Sequence, residues 1–238
     1  FSEFFYTITR PRVLSGYWVS ISTALTAALV NAVSAALRDT LEQTRINAIG
    51  AKPREEIVAF FADNEFGRRA AAAEKPAMLR FEKLSEDKAF DGGSGGRMVR
   101  KQPRIVYGGP YGTNSFPVTA FVPAGAKGPV PAFLLICNRI GANEFPTADG
   151  SANTFFPVDE IVRRGFAAVS FTTWDVAPEC DTGNTQGVFA AFEKPGERRD
   201  AKLWGTISAW AWGASRALDW LETVSEIDAS KVAVVGHS

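Results

Sequence analysis

Histidine occurs once in these 238 residues, and cysteine and methionine twice each. A zinc centre needs three or four histidine, cysteine or carboxylate ligands brought together, and His237 with the distant Cys137 and Cys180 does not provide that set. The chain also lacks net charge. Its 26 basic and 26 acidic residues are spread without long blocks of either sign, which removes the basic footprint expected of a nucleic-acid partner. A phosphate cradle is missing too. The glycine-rich stretch Asp91-Gly92-Gly93-Ser94-Gly95-Gly96 is too short to be one without a strand before it and a helix after it, and reads as a loop or hairpin turn. Neither a metal nor a cofactor is implied.

Apolar residues, by contrast, are plentiful. They make up 46% of the chain and aromatics 12%, enough for the core of one large domain or part of one. The amino terminus differs from the rest: after Arg10-Pro11-Arg12 no charged residue follows until Arg38. A basic flank, an apolar run and small residues at Val33-Ser34-Ala35 fit a secretory signal over residues 1–35, cut after about Ala35. A membrane anchor and an ordinary buried helix stay open beside it. The signal reading implies a secreted or periplasmic protein with no stable membrane partner, whose folded portion is residues 36–238.

From residue 36 the elements follow from periodicity and punctuation. Residues 54–66 carry apolar side chains at helical spacing and end near Gly67, which predicts a surface helix. Residues 104–107 and 115–122 alternate toward strands, with Gly108-Gly109-Pro110 and Gly112 as turn material. Pro131 to Cys137 is a short, wholly apolar run of the kind covered on both faces of a sheet. Asp159 to Gly165 reads as a helix with its terminating glycine, and Ala167 to Phe171 as another buried strand. Strand, helix, strand implies a parallel crossover.

The densest pattern is Leu203 to Leu221. Leu203, Ile207, Trp210, Ala214, Leu218 and Leu221 recur at 3.6-residue spacing, which predicts a helix packed on the sheet. Its tryptophans are read as core rather than as sugar-stacking platforms, and Gly205 and Gly213 as points of close backbone approach. Turn chemistry at Ile227-Asp228 then leads through Lys231 into Val232-Ala233-Val234-Val235 and on to Gly236-His237-Ser238. An apolar strand running into Gly-x-Ser is the first half of a nucleophile elbow. There a strained strand-to-helix turn holds the serine hydroxyl above the sheet, and flanking glycines avoid clashes.

The residues so far imply an α/β-hydrolase: a mostly parallel sheet with flanking helices, met here up to its elbow, with Ser238 as nucleophile. His237, next to Ser238 in a tight turn, projects away from the hydroxyl and is not its base. Ligands of such sheets bind beyond the carboxyl ends of the strands, so the loops from Asn138 to Asn143 and from Trp174 to Glu179 are candidate linings. Arg139 is a candidate for supporting the oxyanion region, or else a solvated or paired arginine. Trp174 is a candidate sugar platform, or else packing at a strand end. Cys137 and Cys180 follow neighbouring elements, and both an oxidised pair and two thiols remain open.

The segment W-G-T-I-S-A-W-A-W-G-A-S-R-A-L-D-W-L-E, followed by I-D-A-S-K-V-A-V-V-G-H-S, resembles the approach to the nucleophile in bacterial glucuronoyl esterases of carbohydrate esterase family fifteen, related sequences of which often carry an acetyl xylan esterase label. P-V-P-A-F-L-L-I near residue 130, E-I-V-R-R-G-F-A near 160 and E-E-I-V-A-F-F near 55 extend the likeness over about residues 54–238. The resemblance implies a serine carbohydrate esterase acting on the ester between glucuronic acid of xylan and a lignin alcohol, a plant cell-wall polysaccharide ester. It places Ser238 at the nucleophile, and it implies recognition of a uronate as a further candidate role for Arg139. It also implies that the catalytic histidine, the acid, and an arginine and lysine of the oxyanion region follow Ser238, so that residues 1–238 alone are inactive. Other α/β-hydrolases, such as an acetyl xylan esterase or a peptidase, and a noncatalytic carbohydrate-binding protein remain open readings.

Overall fold

A computed structural model describes residues 53–92, 96–138, 155–179 and 185–236. The expected signal over 1–35, and Arg139, Cys180, His237 and Ser238, lie outside the described residues. Two units divide after Phe60. Helix α1 (Pro53–Phe61) begins in the first, with Glu55 and Glu56 in its opening turn, where carboxylates favour the positive end of the helix dipole. One π-helical turn, Ala62–Phe66, carries the chain to Gly67 at φ +74°. The expected helix over 54–66 thus forms with its last turn widened.

The second unit is built on one sheet. In chain order it contains α2 (Ala71–Glu74), β1 (Met78–Glu86), β2 (Phe90–Asp91), β3 (Arg97–Gly109), β4 (Gly112–Pro117), β5 (Thr119–Pro123), β6 (Val130–Cys137), α3 (Val158–Arg163), β7 (Ala167–Thr172), α4 (Thr173–Val176), α5 (Val188–Phe192), α6 (Thr206–Leu221) and β8 (Ile227–Gly236). The strand order is β1-β3-β5-β7-β6-β8, with β2 and β4 also pairing β3. The sheet is mixed. Pairings from β1 through β7 are antiparallel, and β7-β6-β8 are parallel. The crossover expected between residues 131 and 171 is therefore present, β6 to α3 to β7.

Proline marks a break in the ladder. The β4 and β5 segments lie along β3 in one register, from Gly109↔Gly112 to Met98↔Pro123. Between them Val118 donates to the Pro103 carbonyl at 3.0 Å, and Pro103 has no N–H to return. That is where β4 ends and β5 begins. Glycines 92 and 96 close the β2–β3 hairpin, with the Gly92 N–H donating to the Gly96 carbonyl at 2.8 Å. The pairing on either side agrees with the hairpin reading of this stretch, whose residues 93–95 lie outside the described residues.

Strand periodicity sorts the core into two faces. Ala132, Leu134, Ala167, Val169, Phe171, Ala120, Val122, Ile105 and Tyr107 face the larger core under α5 and α6. Leu135, Cys137, Ala168, Phe121 and Met98 face the smaller core, closed by Phe156, Val158 and Val162 at α3. Both faces of β6 and β7 are covered, as their predominantly apolar sequences require.

Helix α6 forms, but it begins at Thr206, so Leu203 stands before it, paired with Arg68 in an isolated parallel bridge. Its buried face also differs from the expected stripe. Ala209, Trp212, Gly213, Ala214, Ala217, Trp220 and Leu221 are buried, whereas Ile207 is 61% exposed. Small residues explain the rotation. A Cβ at Gly213 would lie 2.8 Å from Val176 Cγ2 and 3.2 Å from Phe171, so the helix approaches the sheet closely on the Gly-Ala side. Gly205 has no such neighbour; its nearest atom would be 3.9 Å away.

The Ile227-Asp228 turn chemistry lies inside β8 rather than before it. Asp228 accepts from the Ser230 N–H at 3.1 Å and hydroxyl at 2.6 Å, and the register with β6 shifts between Val130 and Ala132. A side-chain turn is thus absorbed as an irregularity in the strand.

At the amino-terminal end of β8, Lys101 of β3 bridges Glu226, at 2.6 Å, and Glu86 of β1, at 3.2 Å. Hydrogen bonding to Lys101 lowers the Glu226 pKa, and hydrogen bonding to Lys83 and then Lys101 lowers that of Glu86. Burial opposes the Lys101 charge, but the two carboxylates outweigh it and its pKa is raised. The carboxylate contribution to stability is therefore present above the ordinary value of 4.5 and is lost as pH falls through the lowered folded values. For Lys101 the contribution is present below its ordinary value and is lost as pH rises through the raised one. Lys101→Met should lower the melting temperature at pH 7 by about 2–4 °C, as expected for a partly exposed network worth about 1 kcal/mol. In thermal melts the difference should shrink below pH 4.

Candidate active site

The parallel strands end together. Cys137 is in register with Thr172, and Ile136 with Gly236. The edge beyond these residues carries Asn138 after β6 and α4 after β7, and it is the edge at which β8 ends, two positions before Ser238 in the sequence. That is the end of a parallel sheet where ligands are bound.

Beside it lies a cleft of about 540 Å³, lined among others by Phe66, Trp174, Ile207, Glu65, Glu179 and Asn138. Trp174 is set by the start of α4. The Thr172 hydroxyl accepts from the Asp175 N–H at 3.2 Å and donates to the Asp175 carboxylate at 2.8 Å, an N-cap that fixes the turn. Val176 is fully buried while Trp174 is 46% exposed. One turn thus anchors itself in the core and presents an indole at the cleft.

The Phe66 side of the cleft is pinned by backbone pairing. Arg68 N–H donates to the Lys202 carbonyl at 2.7 Å, Trp204 N–H to the Arg68 carbonyl at 3.0 Å and Gly205 N–H to the Phe66 carbonyl at 2.9 Å. Ser208 adds a hydroxyl bond to the same Phe66 carbonyl at 2.9 Å. Phe66, 39% exposed, stacks on Phe61 with centroids 5.8 Å apart. Behind this wall Glu193 accepts from Arg199 and from the Trp204 indole at 2.9 Å, and Arg199 also donates to the Trp204 carbonyl at 2.7 Å. The segment entering α6 is thereby fixed through a buried tryptophan.

Gly67 is indispensable to this wall. Its φ is +74°, and a Cβ there would lie 2.6 Å from Trp204 Cα. Gly67→Ala should destabilise the protein by about 1–3 kcal/mol, from the left-handed backbone and the forced separation together. A urea titration should show a lower midpoint with an unchanged slope.

Trp174 is thus placed at the cleft, and Cys137 is buried at the end of β6. Arg139, Cys180 and Ser238 lie outside the described residues. Among the described residues no cluster of His, Cys, Asp and Glu suits a metal ion, and no helix is long and apolar enough to cross a membrane. The sequence reading missed Phe66, Glu65 and Ile207 as linings. Phe66 and Glu65 reach the cleft only through the long-range pairing of 66–68 with 202–205. Ile207 was assigned to the buried stripe.

A mixed sheet with its parallel strands at the β7-β6-β8 side, helices on both faces and a cleft at the strand ends defines an α/β-hydrolase. Residues 110–238 match the family model described as glucuronyl esterase, fungi. The chain is 27% identical over 214 residues to carbohydrate esterase MZ0003 of an unknown prokaryotic organism, covering 79% of this chain and 48% of that protein. It is 31% identical over 127 residues to the 4-O-methyl-glucuronoyl methylesterase of Hypocrea jecorina (strain QM6a), covering 52% of this chain and 22% of that protein. The fold superposes on a glucuronoyl esterase from Solibacter usitatus with a TM-score of 0.65 at 25% identity, over 79% of this chain and 52% of that one. The chain belongs to the glucuronoyl esterase family, carbohydrate esterase family 15. It spans about half the length of the curated carbohydrate esterase and the solved esterase it matches.

Proposed function

We propose that this chain is the amino-terminal part of a serine carbohydrate esterase that hydrolyses glucuronoyl esters linking xylan to lignin alcohols. The observation that carries the reading is the ending of three parallel strands at one level, with Ser238 two residues beyond the Gly236 that is in register with Ile136. Ser238 is the nucleophile. A histidine oriented by a carboxylate removes its proton, the serine oxygen attacks the ester carbonyl, and the alcohol leaves with the proton held by that histidine. Water then releases the uronic acid. Histidine and acid are assigned to the part of such esterases that lies beyond the matched half. Arg139 and Trp174 are assigned to the substrate side of the site. The charge-poor residues 1–35 are assigned to a signal, and the working place of the enzyme to the periplasm or exterior. Relatives that act on glucuronoyl esters support the substrate class.

The deciding experiment is an assay of the full-length enzyme on benzyl glucuronate and on acetylated xylan. Release of glucuronic acid is the expected result. Activity on acetyl esters alone would move the protein to another hydrolase specificity, and a folded but inactive enzyme would favour carbohydrate binding.

A further inference from the structure

We propose that a cavity at the amino-terminal end of β8, walled by β1, β3 and the turn after α6, binds one neutral sugar unit of a polysaccharide chain. The choice of chain, xylan, rests on the esterase reading above. The cavity measures about 420 Å³, within the range of small-molecule sites. It lies at the opposite end of the ten-residue β8 from the cleft, roughly 30 Å along the strand.

Two groups in it have hydrogen-bonding capacity to spare. The indole N–H groups of Trp204, Trp210 and Trp212 donate to protein acceptors at 2.9, 2.9 and 2.8 Å. Trp220 lines the cavity and is only 6% exposed, yet its N–H meets no acceptor among the described residues and is not sealed from solvent. A tryptophan so far buried ordinarily pairs its N–H, so this donor is left for a group in the cavity. On the facing wall, the Gln102 amide oxygen accepts from the Ser85 hydroxyl at 2.8 Å, and its nitrogen donates to the Thr119 hydroxyl at 3.2 Å. That leaves one lone pair and one N–H. Adjacent sugar hydroxyls, each both donor and acceptor, match such an amide.

Charge chooses the class of ligand. Lys101 bridges Glu86 and Glu226, Lys83 pairs with Glu86, and Glu82 pairs with Arg80. The charged side chains lining the cavity are therefore compensated within the protein, and an entering ion would break one pair to gain another. A neutral polyol breaks none. Phe81, Pro103 and Val224 place apolar surface beside the polar groups, which suits the C–H face of a pyranose. An aryl ligand would desolvate the polar rim without bonding to it.

The walls are fixed in advance. The Val224 N–H donates to the Leu221 carbonyl at 3.0 Å, and the Val130 N–H to the Glu226 carbonyl at 2.9 Å, so little ordering remains to oppose binding. A second contact at this distance holds a polymer against the enzyme and raises its effective concentration at the cleft.

The test is a titration of the isotope-labelled full-length enzyme with xylohexaose, followed by NMR at the Trp220 indole N–H. Loss of the peak in Trp220→Phe assigns it, or triple-resonance spectra do so where that variant does not fold. The peak should move saturably, and Gln102→Ala should raise the Kd read there about tenfold, through loss of two hydrogen bonds to the sugar. Sugar bound only in the cleft leaves this distant proton unmoved, so a silent Trp220 peak would overturn the inference. So would a peak that moves with glucuronate but not with xylohexaose, or a Kd that ignores Gln102→Ala. Hydrolysis of benzyl glucuronate should be the same in wild type and Gln102→Ala; an equal loss there would ascribe the effect to the whole fold and overturn the inference. A wild type inactive on benzyl glucuronate would overturn the esterase reading, whereas the titration decides the sugar site by itself.

Discussion

Trp212→Ala should cost about 3–5 kcal/mol of stability, the cavity range for a large buried aromatic, and lower the melting temperature by about 10 °C or more. Trp212 is fully buried. Its ring stands edge-on to Tyr107 with centroids 4.8 Å apart and meets Phe192 at 5.7 Å and Trp204 at 6.4 Å. Its indole N–H donates to the Ala73 carbonyl at 2.8 Å, so truncation also leaves that buried acceptor unpaired. The site is poorly placed to collapse. Tyr107 is fixed between strands, Trp204 is held by Glu193, and α6 is already close to the sheet at Gly213. Trp212→Phe should recover much of the packing but not the hydrogen bond, and so lose less. Equilibrium urea unfolding of both variants checks the order. A loss below 1 kcal/mol for the alanine would mean that the helix moves in to fill the space.

Much of this architecture is legible in the sequence because its strands are buried on both sides. Residues 131–137 are wholly apolar and 167–171 apolar but for Ser170, and the intervening helix fixes their direction. The first strand, Met78–Glu86, carries no such signal. Its charged residues Arg80, Glu82, Lys83 and Glu86 interrupt any alternation, and a bulge at Leu84 shifts the register. It becomes a strand through pairing with β3, a tertiary effect. The rotation of α6 has a similar origin. Hydrophobicity ranks Ile207 and Leu218 above Gly213 and Ala217, but the sheet selects the face that allows the closest approach. Conversely, Trp174 could be singled out as a candidate because it follows a buried strand. Phe66 could not, since nothing near it in the chain announces its pairing with the segment before α6.

On the proposed esterase reading, in which Ser238 is the nucleophile, Ser238→Ala should abolish glucuronoyl ester hydrolysis in the full-length enzyme, with kcat lowered about 10⁴-fold or more, while substrate affinity stays within a few-fold. Removing the nucleophile removes the covalent route, and the remaining triad members cannot act without it, so the loss is far larger than for any single binding group. The strand that leads to Ser238 supports this choice of atom over its neighbours. Val232 to Gly236 run in register with Ala132 to Ile136 in the parallel part of the sheet, so β8 ends at the carboxyl edge, where the cleft and Trp174 stand. Serines elsewhere are poor rivals. Ser170 is buried within β7, and the Ser208 and Ser215 hydroxyls are committed to backbone carbonyls at 2.9 and 3.1 Å. Stability should hardly change, because the substitution deletes a single hydroxyl. A variant that melts like wild type, binds the benzyl ester and does not turn it over would identify Ser238 by its chemistry. Residual hydrolysis within tenfold of wild type would instead require the nucleophile to lie elsewhere and the elbow assignment to be given up.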